Sequence, residues 1–170
     1  MPKPRYPFTP DDGANDLLAE SGTALLIGLC LEQQVRSEKA MVGPFVLRER
    51  VGHLDARKIA AMTDPKIVAT FRAKPAIHRF PGMMAKRVKA LCAQITSEYG
   101  GDGSRLWERV RSADEVYRRL LELPGFGDAK ASCGVRILAK FGKRPLQGWQ
   151  RFASDEDLPW VYRHGKRVDV

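Results

Sequence analysis

The chain is 170 residues long, 44% hydrophobic and 29% charged, which suits one globular domain whose core needs no disulfide staples. Its formal net charge of +9 and pI near 9.7 point to a polyanionic partner, nucleic acid first; a basic surface with no dedicated partner is the competing reading. The longest apolar run, Ala24 to Leu31, is too short to span a bilayer, and Met1-Pro2-Lys3-Pro4-Arg5 lacks a signal peptide's apolar core, so no membrane partner is expected.

Residues 1–13 hold four prolines and read as an extended arm. A helical pattern begins near Asp16. Ala24 to Leu31 is apolar on all sides, as the central helix of an all-α fold would be, and it breaks at Glu32-Gln33-Gln34-Val35-Arg36. Counting on from Ile27 and Leu31, Gln34 shares their inward face. A buried glutamine needs its amide bonded, either by nearby backbone or by something entering a cleft. Gln33, Gln34 and Arg36 are therefore candidate cleft residues.

Ser37 to Arg50 predicts a helix bent or restarted at Gly43-Pro44, and Asp55 caps a short helix through Met62. Asp64 ahead of Pro65 predicts an N-cap for a helix to Phe71. Lys74 to Gly82 reads as an ordered loop in which His78 bonds backbone or serves as an acid or base. Met83 to Tyr99 is amphipathic, and Ser112-Ala113-Asp114-Glu115 is a capping box that launches a further helix. Cys30, Cys92 and Cys133 read as free thiols in a reducing cytoplasm. Their spacing fits no zinc site, and three thiolates cannot hold an iron–sulfur cluster.

The sharpest signal is Leu123-Pro124-Gly125-Phe126-Gly127-Asp128-Ala129-Lys130-Ala131. Pro124 must end the preceding helix, because it lacks an N–H and its ring clashes with the previous turn. Gly125 and Gly127 permit positive φ and a close approach by another backbone. The chain then re-enters a helix whose free N–H groups and positive dipole end suit a phosphate. Gly125, Phe126, Gly127 and Lys130 are the expected DNA-backbone contacts, which position a duplex without reading its bases. An ordinary glycine-capped helical hairpin is the plainer reading.

These elements, with Ile77-His78-Arg79-Phe80-Pro81-Gly82, resemble the helix-hairpin-helix GPD superfamily of DNA glycosylases over about Leu17 to Trp149, and most of all its small bacterial base-excision repair branch. The resemblance implies two helical lobes around a cleft, with residues 1–150 as the domain, the hairpin at 112–141, and 151–170 as a C-terminal tail. It implies a monomeric, cytoplasmic, nucleoid-associated protein that flips a damaged nucleotide out of duplex DNA and cleaves its N-glycosidic bond. It also suggests a monovalent cation on the hairpin carbonyls, and no other cofactor.

Two departures from the family pattern stand out. Bifunctional members carry a nucleophilic lysine two residues after the second hairpin glycine, where this chain has Ala129; Lys130 lies about 100° further round the helix, so no lyase activity is expected. The family aspartate falls after the second hairpin helix, yet Phe141 to Ala153 contains no acid and Gln150 stands nearest its place. Asp155 and Glu156 are the weak candidates for that role. A DNA-binding protein that has lost the chemistry is the alternative function, and a helical interaction module with incidental charge is a third.

Overall fold

A computed structural model of the chain describes residues 6–153, 160–163 and 165–169. Ser21 closes α1 (Asp12–Glu20) and caps α2 (Gly22–Leu31), its hydroxyl accepting from the Ala24 N–H at 3.1 Å. One residue thus ends one helix and starts the next, and the chain turns by 115° between them. Every residue of α2 from Thr23 to Leu31 is buried, as an all-round apolar helix requires. No single described helix is long and apolar enough to cross a membrane.

Helix α3 (Ser37–Val51) continues through Gly43-Pro44 without the restart that was one of the two expectations there. A side chain at Gly43 would collide with Leu31, so this glycine lets α3 lie close on α2. Asp55 caps α4 (Ala56–Ala60) by accepting from two backbone N–H groups, at 2.9 and 3.2 Å. The N-cap of α5 (Asp64–Arg72) is Thr63 rather than Asp64, whose carboxylate reaches across to Lys89 at 2.8 Å. Helix α6 (Pro81–Tyr99) begins two residues before its expected start.

The hairpin pairs α7 (Ala113–Leu121) with α8 (Asp128–Lys140). Only half of the capping box forms: the Ser112 hydroxyl accepts from the Glu115 N–H at 3.4 Å, while the Glu115 carboxylate pairs with Arg119 at 2.8 Å. Helices α4, α5 and α6 pack together as one lobe, the hairpin faces them, and α2 lies between, touching both α6 and α8. The C-terminal end of α2 therefore points into the join between the lobes.

The C-terminal residues add what helical periodicity did not predict. Strand β1 (Trp160–Arg163) pairs antiparallel with β2 (Lys166–Asp169), Trp160 opposite Asp169 and Arg163 opposite Lys166. The pair is fastened to the body at Tyr162, whose N–H donates to the Pro7 carbonyl at 2.9 Å and whose hydroxyl reaches Glu38 at 3.1 Å. The expected boundary at residue 150 falls inside a short 3-10 helix, Trp149–Phe152, whose buried Phe152 packs on Tyr117 at 5.0 Å.

Candidate nucleic-acid interface

The two glycines of the hairpin turn do different things. Gly125 has φ +78°, and a Cβ there would overlap the Arg87 side chain lying across it, so conformation and packing both demand glycine. Gly127 is extended, at φ −109° and ψ −167°, and nothing lies within 4 Å of where its Cβ would sit. The packing at 127 therefore does not itself demand glycine. Gly127 is the N-cap of α8 and offers no side-chain cap, which leaves the first N–H groups of that helix uncovered.

Phe126 differs from its expected role. Its side chain is buried in the core at 8% exposure and its N–H is bonded to the Leu123 carbonyl at 3.1 Å, so it anchors the turn instead of meeting DNA. Asp128, in the first turn of α8, is drawn sideways by the Tyr117 hydroxyl at 2.7 Å and the Ser132 hydroxyl at 3.3 Å.

Lys130 also departs from expectation. It is 9% exposed, and its ammonium donates inward to the Cys30 carbonyl at 2.8 Å and the Gly125 carbonyl at 3.0 Å, with Gln33 Oε1 at 3.5 Å. The cation therefore ties the last turn of α2 to the hairpin and does not reach out to a phosphate. Cys30 O belongs to the negative end of the α2 dipole, which favours a cation there. Burial pushes the Lys130 ammonium below the ordinary lysine range, with the nearby Arg87 adding repulsion. The Gly125 carbonyl, one of the hairpin carbonyls expected to hold a monovalent cation, already takes this ammonium.

At the end of α2 the helix stops one residue after the apolar run, with Glu32 as C-cap at φ −72°, ψ 74°. The helical count that placed Gln34 inward thus fails, because the backbone has left the helix before reaching it. Gln33 is the inward residue. Arg87 donates to its Oε1 at 2.6 Å and Lys130 stands on the same oxygen, so two cations from the two lobes fix the amide, with its NH2 turned away from them. Gln34 is exposed at φ +54°, a left-handed conformation that costs a non-glycine residue about 1–2 kcal/mol. Arg79 donates to its carbonyl at 3.3 Å, and exposed Arg36 follows at the start of α3. The rim of the join is therefore lined by Gln34, Arg36 and Arg79.

His78 takes the structural role. Fully buried, it accepts from the Phe80 N–H at Nδ1, 3.0 Å, and has Nε2 3.0 Å from the Leu31 carbonyl. The second contact needs a proton on Nε2 and the first a lone pair on Nδ1, so the ring is neutral, and burial lowers its pKa. It braces the loop before α6 against the end of α2. Burial likewise pushes the Cys30 and Cys92 thiols up to about 11 and about 12, leaving both protonated.

Asp155 and Glu156 lie outside the described residues. The carboxylate that reaches the join is Glu32, which sequence reasoning passed over. Its Oε1 accepts from the Ser37 hydroxyl, and the Cys133 thiol of α8 lies 3.9 Å from its Oε2. Burial raises its pKa, and the Ser37 bond and the charges of Lys130 and Arg136 only partly oppose that. The sequence did hold a signal: an acid directly after an all-apolar helix sits against the negative dipole end, where a cation is the ordinary choice. Ala129 is exposed on the outer face of α8, lining a cavity of about 530 Å³ with Ser132, Arg136 and Phe152. It offers no amine.

No protein-family model and no curated protein matches the chain. Solved structures do. Endonuclease III trapped as a covalent intermediate with DNA aligns with a TM-score of 0.50 and 19% identity over 74% of this chain and 55% of its own. A non-covalent endonuclease III–DNA complex aligns with a TM-score of 0.50 and 19% identity over 84% of this chain and 64% of its own. The H. pylori 3-methyladenine DNA glycosylase MagIII, bound to 1,N6-ethenoadenine, aligns with a TM-score of 0.50 and 20% identity over 72% of this chain and 58% of its own. The chain thus spans less than two thirds of the length of each. Together with the hairpin and the two lobes meeting at the end of α2, these matches show that the chain shares its mostly helical fold with these endonuclease III and 3-methyladenine DNA glycosylase structures.

Proposed function

We propose that the protein binds damaged duplex DNA and acts in base-excision repair as a monofunctional DNA glycosylase, cleaving the N-glycosidic bond of a modified base without cutting the strand. The observation that carries this reading is the join at the end of α2. There Gln33 is fixed by a cation from each lobe, and Gln34 is pushed outward in a strained backbone beside Arg36 and Arg79. Strain of this kind persists where the surroundings enforce it, and it clusters at sites that act on a ligand.

Binding begins at the other edge of the join. The uncovered N–H groups of α8 and the open space at Gly127 admit a phosphate oxygen, and Arg36 and Arg79 add charge along the backbone path. With a net charge of +9 the complex forms by counterion release and weakens steeply with salt. An extruded nucleotide leaves a gap in the stack, and Gln34 is the side chain presented to fill it. Without an amine at Ala129 the sugar cannot be captured as a Schiff base, so the product is an intact strand with an abasic site.

The test is base release from duplex oligonucleotides that each carry one lesion, analysed with and without alkali. Strand breaks that appear only after alkali support the reading; breaks without alkali, or a borohydride-trapped adduct, refute the monofunctional assignment. Salt-sensitive binding with no release from any lesion would leave the non-catalytic DNA-binding alternative, which the acid-free segment Phe141 to Ala153 favours.

A further inference from the structure

We propose that Glu32 is the catalytic carboxylate of this cleft, the group that stabilises the sugar cation and accepts the proton of the attacking water. This rests on the glycosylase reading above. Glu32 is the C-cap of α2, one residue before the doubly anchored Gln33 and two before the outward Gln34. It is the acidic side chain that the described residues bring into the join between the lobes, and the described stretch after the hairpin, Phe141 to Ala153, contains no acid.

The groups that act on Glu32 come from two helices. Helix α3 presents the Ser37 hydroxyl, which bonds Oε1, and α8 presents the Cys133 thiol, Lys130 and Arg136; on the neighbouring residues Arg87 of α6 holds Gln33 and neutral His78 meets the Leu31 carbonyl. Among the described residues no lysine, arginine or histidine comes within 4.0 Å of its carboxylate, and the cations near it are otherwise engaged: Lys130 on two carbonyls, Arg87 on Gln33, Arg136 on the Phe152 carbonyl at 2.9 Å. The carboxylate is therefore half-buried with no salt bridge among the described residues, and the charges of Lys130 and Arg136 oppose the rise in its pKa that burial causes. A purely structural role would need only an acceptor for Ser37, which a neutral amide supplies equally well.

The chemistry balances on these residues and water alone. The C1′–N bond breaks with its electron pair leaving on the base nitrogen, and the ionised Glu32 stabilises the positive charge that develops at C1′. A water oxygen bonds to C1′ and its proton passes to a Glu32 oxygen. Glu32 returns that proton to the departing base or to solvent and is regenerated. Because the working form is the anion, activity rises with pH through the Glu32 pKa, which burial places above the ordinary glutamate value.

The experiment compares the full chain with Glu32→Gln in single-turnover base release from duplexes carrying one alkylated, deaminated or oxidised base. In parallel, affinity is measured for a duplex with a tetrahydrofuran abasic analogue. We expect release to fall by about 10²-fold or more, with affinity unchanged within about threefold. The wild-type pH profile should show an acid limb lying above the range of an exposed carboxylate. Wild-type release on which Glu32→Gln has no effect overturns this inference alone and leaves the glycosylase reading standing. No release by wild type from any lesion overturns both. Should Glu32→Gln fail to fold, the wild-type profile decides: a pH-independent rate down to about pH 4 overturns the assignment.

Discussion

Replacing Lys130 with methionine separates a cation that holds the protein together from one that holds DNA. Methionine keeps the length and apolar stem of the side chain but removes the two donations, to Cys30 O at 2.8 Å and Gly125 O at 3.0 Å. Each such bond to a charged group contributes roughly 1.5–3 kcal/mol, offset in part by the cost of burying the ammonium. Two carbonyls in a largely buried site are then left without this partner, and we expect a net loss of about 2–4 kcal/mol. For a chain of this length that is a fall in Tm of roughly 4–16 °C, read by circular dichroism and confirmed by urea titration. A phosphate-binding lysine would behave the opposite way: stability nearly unchanged, DNA affinity lower, and the slope of log K against log salt reduced by about 0.9. That pattern would refute the inward assignment and restore the one made from sequence.

Three further outcomes are expected. Gly127→Ala, into open space at an allowed backbone geometry, should shift Tm by no more than about 2 °C yet weaken DNA binding about 3- to 10-fold; Gly125→Ala, at φ +78° and against Arg87, should cost at least about 1–2 kcal/mol in stability, and equal Tm values for the two would contradict the distinction. The buried neutral His78 has a folded pKa below its unfolded value, so the stability it provides is complete above about pH 6.5 and is lost as pH falls through the lower folded value; His78→Asn should lower Tm at neutral pH while flattening its decline towards about pH 5. Glu32 has the reverse sign: its raised folded pKa makes the ionised form a liability at neutral pH that disappears in acid, so Glu32→Gln should raise Tm at about pH 7.5 and leave it nearly unchanged at about pH 4.

The helices were legible because their signals are local. The all-round apolar character of α2, the acid at Asp55 and the Leu-Pro-Gly-Phe-Gly turn each fix an element within a few residues, and the fold followed from their order. The errors came where a distant partner decides. Gln34 kept an inward phase only as long as the helix continued, and Glu32 ends it. Lys130 looked like a surface cation because the carbonyl that turns it inward, Cys30 O, lies 100 residues away in sequence. Phe126 stood between two glycines and shared their assignment, whereas its burial depends on the core beneath the turn. The terminal strand pair escaped because four-residue strands carry almost no periodic signal, and their anchors on Pro7 and Glu38 are again remote.

The inward turn of Lys130 changes how binding and chemistry relate in this cleft. Had it pointed outward, the hairpin would grip DNA with its own charge and the end of α2 would be an independent wall. Instead the ammonium fastens Cys30, Gly125 and Gln33 together, so the hairpin and the end of α2, with Glu32 beside the same cation, form one connected unit. On the proposed reading, a duplex held at the uncovered N–H groups of α8 would sit in a fixed relation to the carboxylate, which is what orienting a reacting sugar requires. The proposed role accounts for a half-buried acid at an unfavourable helix end. Its cost to stability at neutral pH and its proposed use to an oxocarbenium-like sugar would both come from weak solvation, so replacing it with a neutral amide would relieve the first only by abolishing the second.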